Sequence, residues 1–194
     1  MTSEEIAKSL KNQNKDAVLL LQAGEYEKAY AAFGMYLKNL IGYKLYDHAA
    51  KVRVNMANTL YVMGLYDEAL ECLNDSLKYF EEKRNIDLLN ENRIIEGNLY
   101  LKMNNLNKLK DLSVKMRQST KNDKIMSFAY MFEVLAMEGT GPKVIDSINK
   151  AVAYAERSQD NAVLKQALCM RIDYYERNKK GIYAALDRDR IASL

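Results

Sequence analysis

The sequence predicts an all-α protein, a right-handed α-solenoid of about five antiparallel helical hairpins. Three observations support this prediction. A pattern of turn, aromatic and small residues recurs, beginning at position 24 in one copy and at position 64 in the next. Helix breakers are rare, with one proline and eight glycines in 194 residues. No segment combines apolar–polar alternation with β-branched residues, so strands are not expected. A repeat of roughly 34 to 47 residues is typical of stacked helix pairs.

The recurring pattern consists of a turn glycine, a tyrosine, a small residue and a large apolar residue. The two clear copies are Gly64, Tyr66, Ala69 and Leu73, and Gly24, Tyr26, Ala29 and Phe33. In a third and weaker copy, Asn104 stands where Gly64 does in the second. Asparagine is the side chain that best tolerates a left-handed backbone, so this exchange preserves the turn. Each copy therefore predicts two helices that meet at a tight turn.

This arrangement resembles the tetratricopeptide repeat (TPR), in a long-helix variant with a period of about 40 residues. The resemblance is strongest over 44–83 and weak after 105. It implies a single repeat domain over 1–194, with hairpins at about 3–41, 43–83, 85–118, 123–157 and 160–193. It also implies a concave groove, lined by the first helix of each hairpin, in which peptides or helices of other proteins bind.

The predicted helices follow in chain order. The first is Ser3–Gln22, with Ser3 as its N-cap and Glu4 and Glu5 in its first turn. The next five are expected at about 26–41, 43–63, 67–83, 85–103 and 105–118. The seventh, at about 123–138, is nearly apolar all round, so we expect neighbours on several sides of it. Pro142 suits the first turn of the eighth. The ninth and tenth are expected at 160–177 and 181–193, and the last has a polar stretch, 187–190, that suits an outer face.

The resemblance assigns eight residues to the groove: Asn14, Lys51, Asn58, Tyr61, Glu91, Asn98, Lys102 and Glu133. Asn58 and Asn98 occupy the same position in consecutive repeats. Side-chain amides both donate and accept, so the pair could bind the backbone of a peptide. Tyr61 adds a rigid amphipathic surface. The alternative is that two asparagines on polar helix surfaces coincide by chance.

No catalytic motif is present, and we expect neither an enzyme nor a bound cofactor or metal. The sequence lacks phosphate-binding, zinc-binding and nucleophile signatures of the G-x-x-x-x-G-K-[ST], H-E-x-x-H, C-x-x-C and G-x-S-x-G kinds. His48 is expected on a helix surface. Cys72 and Cys169 lie within apolar helical patterns and are expected to be buried or half-buried reduced thiols.

Charge and hydropathy indicate a cytoplasmic protein without a membrane segment. The N-terminus is polar, and the longest apolar run near it, 17–21, is far too short to span a bilayer. The net charge of +3 is too weak to indicate nucleic acid as a partner. The basic stretch 102–124 is either a solvated helix face or a patch for an acidic partner.

Two functions agree with these observations. The leading hypothesis is a non-enzymatic scaffold or adaptor that binds a protein or peptide in the concave groove. The alternative is the ligand-sensing, oligomerising TPR region of a bacterial peptide-responsive regulator. Formation of a homodimer is a further hypothesis, because Tyr174, Tyr175 and Tyr183 could form an uncovered apolar face. The other interpretation is that these tyrosines pack between the hairpins.

Overall fold

The computed structural model describes residues 3–137 and 139–194, and all of their side chains except those of Ser3, Glu4, Glu5 and Ala7. These residues form ten α-helices and no strand, which confirms the all-α prediction. The helices are α1 (Ser3–Gln22), α2 (Tyr26–Gly42), α3 (Tyr46–Val62), α4 (Tyr66–Glu82), α5 (Ile86–Lys102), α6 (Leu106–Ser119), α7 (Asp123–Leu135), α8 (Pro142–Ser158), α9 (Asn161–Arg177) and α10 (Gly181–Ala192). The predicted capping by Ser3 and the roles of Glu4 and Glu5 lie outside the described side chains.

The structural period of the first half of the chain is one helix and one turn, which is half of the period seen in the sequence. Helices α2 to α6 begin at positions 26, 46, 66, 86 and 106. Two residues before each start, one residue has a left-handed backbone, and these are Gly24, Lys44, Gly64, Arg84 and Asn104, with φ of 77°, 59°, 80°, 54° and 53°. The turns within and between the predicted hairpins therefore have the same conformation.

Each of these turns ends a helix with the same backbone hydrogen bond. The amide of Leu65 donates to the carbonyl of Leu60 at 3.0 Å, and the amide of Leu45 donates to that of Leu40 at 2.9 Å. A bond that spans five residues beside a left-handed residue is the Schellman helix stop. The expected left-handed turn at Asn104 is confirmed. Helix α3 begins three residues later than the predicted position 43, because Lys44 takes this turn conformation.

Lys44 is expected to be a destabilising residue at its turn. A side chain in the left-handed region costs about 1–2 kcal/mol, whereas glycine costs about 0.5–1 kcal/mol in lost chain freedom. Lys44→Gly should therefore raise the free energy of unfolding by about 0.5–1 kcal/mol. Urea denaturation followed by circular dichroism measures this change. Gly64→Ala is the matched opposite case and should lower stability, and a loss of stability in Lys44→Gly would contradict the explanation.

Internal contacts divide the chain into two compact units, Met1–Leu99 and Tyr100–Leu194, which we call the N-terminal and C-terminal units. In the N-terminal unit, α1, α2 and α3 share an apolar cluster around Phe33 and Leu40, which are both fully buried. A second cluster joins α3, α4 and α5 around Leu73 and Leu99. The single domain over 1–194, its right-handedness and its division into five hairpins stay predictions.

In the C-terminal unit, α7 packs against α6, α8 and α9, which confirms the expectation of neighbours on several sides. Helix α7 ends at Leu135, three residues before its predicted end at about position 138. Glu138 itself lies outside the described residues. Pro142 is the first residue of α8, as predicted. Helices α8 and α9 share a cluster around Ala151 and Leu168.

The prediction for the face of α10 is wrong at Asp187. Arg188, Asp189 and Arg190 are exposed, but Asp187 is only 3% exposed. Its carboxylate accepts hydrogen bonds from Nε and Nη2 of Arg171 at 2.7 and 2.6 Å. Hydrogen bonding to Asp187 is also the main cause that raises the pKa of the Arg171 guanidinium. A bidentate ion pair between the buried Asp187 and the half-buried Arg171 therefore connects α10 to α9.

Candidate functional site

Asn58 and Asn98 lie in the N-terminal unit, on two helices that contribute to one buried cluster. Ala57 and Leu60 of α3 and Leu99 of α5 belong to one buried cluster. Each asparagine directly neighbours a member of this cluster in sequence and is itself half-buried. In the described part of the chain, neither side-chain amide has a hydrogen-bond partner. Two amides at equivalent repeat positions are thus half-buried and make no side-chain hydrogen bond within the described residues.

The surroundings of this pair combine apolar and charged groups. Val54, Tyr61 and Ile95 are half-buried and pack against the same cluster. The ring of Tyr61 lies 5.7 Å from that of Tyr66, at 58° between the ring planes, so its position is fixed. Charged side chains stand at a second equivalent pair of positions, at Lys51 on α3 and at Glu91 on α5, and both are exposed.

Asn14 lies at a different place in the N-terminal unit. It lines a cavity of about 410 Å³ between α1, α2 and α3, together with Leu10, Tyr36 and His48. His48 is exposed, as expected for a helix-surface histidine. No described contact joins Asn14 to Asn58 or Asn98, and the assignment of all eight residues to one groove stays a prediction.

The remaining two predicted residues, Lys102 and Glu133, belong to the C-terminal unit. Lys102 is exposed at the end of α5. Glu133 accepts from Arg117 at 2.6 Å and from the hydroxyl of Ser147 at 3.0 Å. The guanidinium of Arg117 also lies 5.0 Å from the centre of the Tyr130 ring. Glu133 is therefore an engaged carboxylate that links α6, α7 and α8.

A groove runs past the C-terminal end of α7, and Glu133 is the one of the eight predicted residues that lines it. It consists of three cavities of about 550, 190 and 750 Å³ that share walls. Leu135, Met170 and Asp173 line both the first and the second cavity, and Met137 and Val144 line both the second and the third. We call this surface the α7 groove. Its walls come from α6, α7, α8 and α9, so no local pattern could reveal the whole surface.

The tyrosines proposed for self-association have different environments. Tyr174 is 8% exposed, and its hydroxyl donates to the backbone carbonyl of Thr140 at 3.0 Å. Its role in an exposed face is therefore wrong, whereas Tyr183 is 56% exposed. Tyr175 is half-buried between them, with its ring 5.4 Å from that of Tyr183. The homodimer stays a prediction.

The structure places the two thiols in opposite environments. Cys72 is half-buried, and its thiol donates to the carbonyl of Arg53 at 3.4 Å. Burial raises the pKa of Cys72 to about 11, although the charge of Arg53 opposes part of the shift. Cys169 is exposed in the α7 groove, so the expectation of a buried or half-buried thiol is wrong there. Among the described residues, no three histidine, cysteine or acidic side chains form a cluster able to hold a metal ion.

These environments predict two very different rates of thiol modification. At pH 8, a pKa near 11 leaves about one Cys72 thiol in a thousand ionised, and the thiolate is the reactive form. We expect dithionitrobenzoate to modify one thiol per folded chain quickly, and the second only after denaturation. Cys169→Ser should remove the fast phase and Cys72→Ser should keep it. Two fast thiols in the folded chain would contradict this assignment.

No described helix has both the length and the apolarity needed to cross a lipid bilayer. No model of a known protein family matches the chain, and no curated protein sequence matches it.

Proposed function

We propose that the chain is a TPR-like helical repeat protein that binds an extended segment of another protein, as a scaffold or adaptor without catalytic activity. The observation that carries this proposal is the pair of half-buried, unpartnered amides at Asn58 and Asn98. The two-helix repeat of the sequence pattern, together with the identical turn after each helix from α1 to α5, supports the TPR-like assignment.

The binding mode follows from the chemistry of the amide group. Each asparagine can donate to a peptide carbonyl and accept from a peptide N–H. The two can therefore bind an extended backbone without selecting for its side chains. Because no side chain of the described residues occupies these amides, a bound peptide can pair with them directly. The flanking Lys51, Tyr61 and Glu91 then supply contacts for the side chains of the ligand.

The test begins with random peptides displayed on phage and selected on the wild-type chain. The selected peptides are then titrated by calorimetry against Asn58→Ala, Asn98→Ala and the double variant. Each single change removes hydrogen bonds worth about 1–2 kcal/mol, so we expect about 5- to 30-fold weaker binding for each. Tyr61 is left intact, because its contact with Tyr66 would confuse loss of binding with loss of packing.

Asn74→Ala is the matched control, because Asn74 is an exposed asparagine on α4. It should leave every affinity unchanged, and the thermal unfolding midpoint of all variants should stay close to that of the wild type. If every selected peptide binds the double variant as tightly as the wild type, the asparagine pair is not the binding site.

A further inference from the structure

We infer that the α7 groove is a second binding site, which accepts an extended peptide carrying an acidic residue at one end and bulky apolar residues beside it. This inference goes beyond the proposed function, because it concerns the C-terminal unit and does not depend on Asn58 or Asn98. It rests on the charge distribution of the groove, on its apolar floor and on its fixed wall.

Among the described residues, the side chains at one end of the groove carry a net positive charge. Lys110 of α6 and Lys143 of α8 line the cavity of about 750 Å³, and both are exposed. Neither has an ion-pair partner among the described residues. The carboxylate in the same wall, Glu133, is neutralised by Arg117 at 2.6 Å. Two lysines on different helices that face one cavity favour a carboxylate of the ligand.

The floor of the groove is apolar and partly exposed. Leu135 is 42% exposed where the first two cavities meet. Met170 and Met137 continue the floor towards the lysines, and both are half-buried. Methionine side chains are flexible and polarizable, so such a floor accepts apolar side chains of different shapes. The far end has both signs of charge, Lys165 and Asp173, and so does not select for charge.

The groove wall at Thr140 and Val144 is tied to α9 or packed in the core. The hydroxyl of the buried Tyr174 donates to the carbonyl of Thr140 at 3.0 Å, which ties this connection to α9. Val144, in the first turn of α8, is 8% exposed and lines the groove where the second and third cavities meet. A groove with fixed walls binds an extended segment with a smaller entropic cost than one that must form.

The first experiment presents the full chain to an array of short immobilised peptides. Each residue position of the peptides is varied among acidic, basic, apolar and neutral polar residues. We expect selection of peptides in which an acidic residue accompanies large apolar ones. The strongest such peptide is then labelled with fluorescein and titrated in solution by fluorescence anisotropy. An array without this combined preference overturns the inference.

Charge reversal locates the acidic end of the ligand. Lys110→Glu with Lys143→Glu should weaken binding of the labelled peptide by about tenfold or more. The matched control is Lys115→Glu with Lys121→Glu, two exposed lysines outside the groove that give the same change of net charge. An equal loss in both double variants would indicate general attraction to a basic surface and would overturn the inference. If the variant Lys110→Glu with Lys143→Glu does not fold, the variant Lys110→Gln with Lys143→Gln is measured in its place.

A second substitution separates the apolar contacts from the charge. Leu135→Asn should abolish the preference for apolar residues on the array and keep the preference for acidic ones. Leu186→Asn is the control, since Leu186 is an exposed leucine of α10 and is 57% exposed. Loss of the apolar preference in the control instead of in Leu135→Asn would overturn the inference.

The native thiol of Cys169 reports occupancy directly, because it lies in the groove and is exposed. Saturating peptide should slow its reaction with dithionitrobenzoate by about tenfold, as expected for a thiol shielded from solvent. An unchanged rate would place the peptide elsewhere on the chain. The double variant Asn58→Ala with Asn98→Ala should bind this peptide as the wild type does, and a loss of binding there would move the site to the asparagine pair.

Discussion

Asp187→Ala is expected to lower the free energy of unfolding by up to about 3–5 kcal/mol, because it leaves the half-buried Arg171 guanidinium without the carboxylate that it binds. Asp187 is 3% exposed and receives two hydrogen bonds from Arg171, at 2.7 and 2.6 Å. The remaining contact of Arg171, to the side chain of Asn149 at 3.3 Å, involves no opposite charge. Denaturation in urea, followed by circular dichroism, measures the loss.

Asp189→Ala is the control for this prediction. Asp189 is an exposed carboxylate on the same helix, two residues further along, and a surface change of this kind is usually worth less than about 0.5 kcal/mol. Replacing both Arg171 and Asp187 by apolar residues of similar size should recover much of the lost stability, because no unpaired charge then remains. A loss below about 1 kcal/mol in Asp187→Ala would mean that the pair is hydrated and contributes little.

Phe33→Ala is expected to destabilise the N-terminal unit by about 3–5 kcal/mol, through lost apolar burial and the cavity that remains. Phe33 is fully buried in the cluster that joins α1, α2 and α3. Met35→Ala is the control, since Met35 lies two residues away on the same helix and is 71% exposed. Similar losses in the two variants would contradict the position of Phe33 in the core.

The two destabilising variants together also measure thermodynamic coupling between the units. Phe33 belongs to the N-terminal unit and Asp187 to the C-terminal unit. If the whole chain unfolds as one cooperative system, each variant shifts a single transition. If the units unfold independently, each variant shifts only one of two transitions. Differential scanning calorimetry distinguishes these results, because it reports the enthalpy of each transition.

The helices were predictable because their information is local. Apolar periodicity and the turn residues Gly24, Gly64 and Asn104 indicate most boundaries to within a few residues. Lys44 and Arg84 adopt the same turn conformation without any residue signature, because lysine and arginine have no preference for a left-handed backbone. The period of one helix and one turn could therefore not be detected in the sequence, where only every second turn has a characteristic residue.

Features that depend on contacts between distant residues were not predictable. Asp187 has an ordinary polar neighbourhood in the sequence, and only the fold brings it to Arg171, sixteen residues earlier. Cys169 lies in an apolar helical pattern, yet its side chain faces the α7 groove. The asparagine pair was found because it repeats with the period of the sequence pattern. The α7 groove has no such repeat, and four helices contribute its walls.

The repeated turn geometry limits how many helices can be inserted into or deleted from this chain at once, a number that we call the step. Inserting or deleting one helix with its turn would keep every turn in register, but it would exchange helices that bury different side chains. One repeated position holds Phe33 and Leu73, which are buried, in α2 and α4, whereas α3 and α5 have Arg53 and Arg93 there. A step of one helix would therefore direct charged groups into apolar clusters. A step of two helices preserves both the turns and the faces, so a helix pair is the smallest unit by which such a chain can grow.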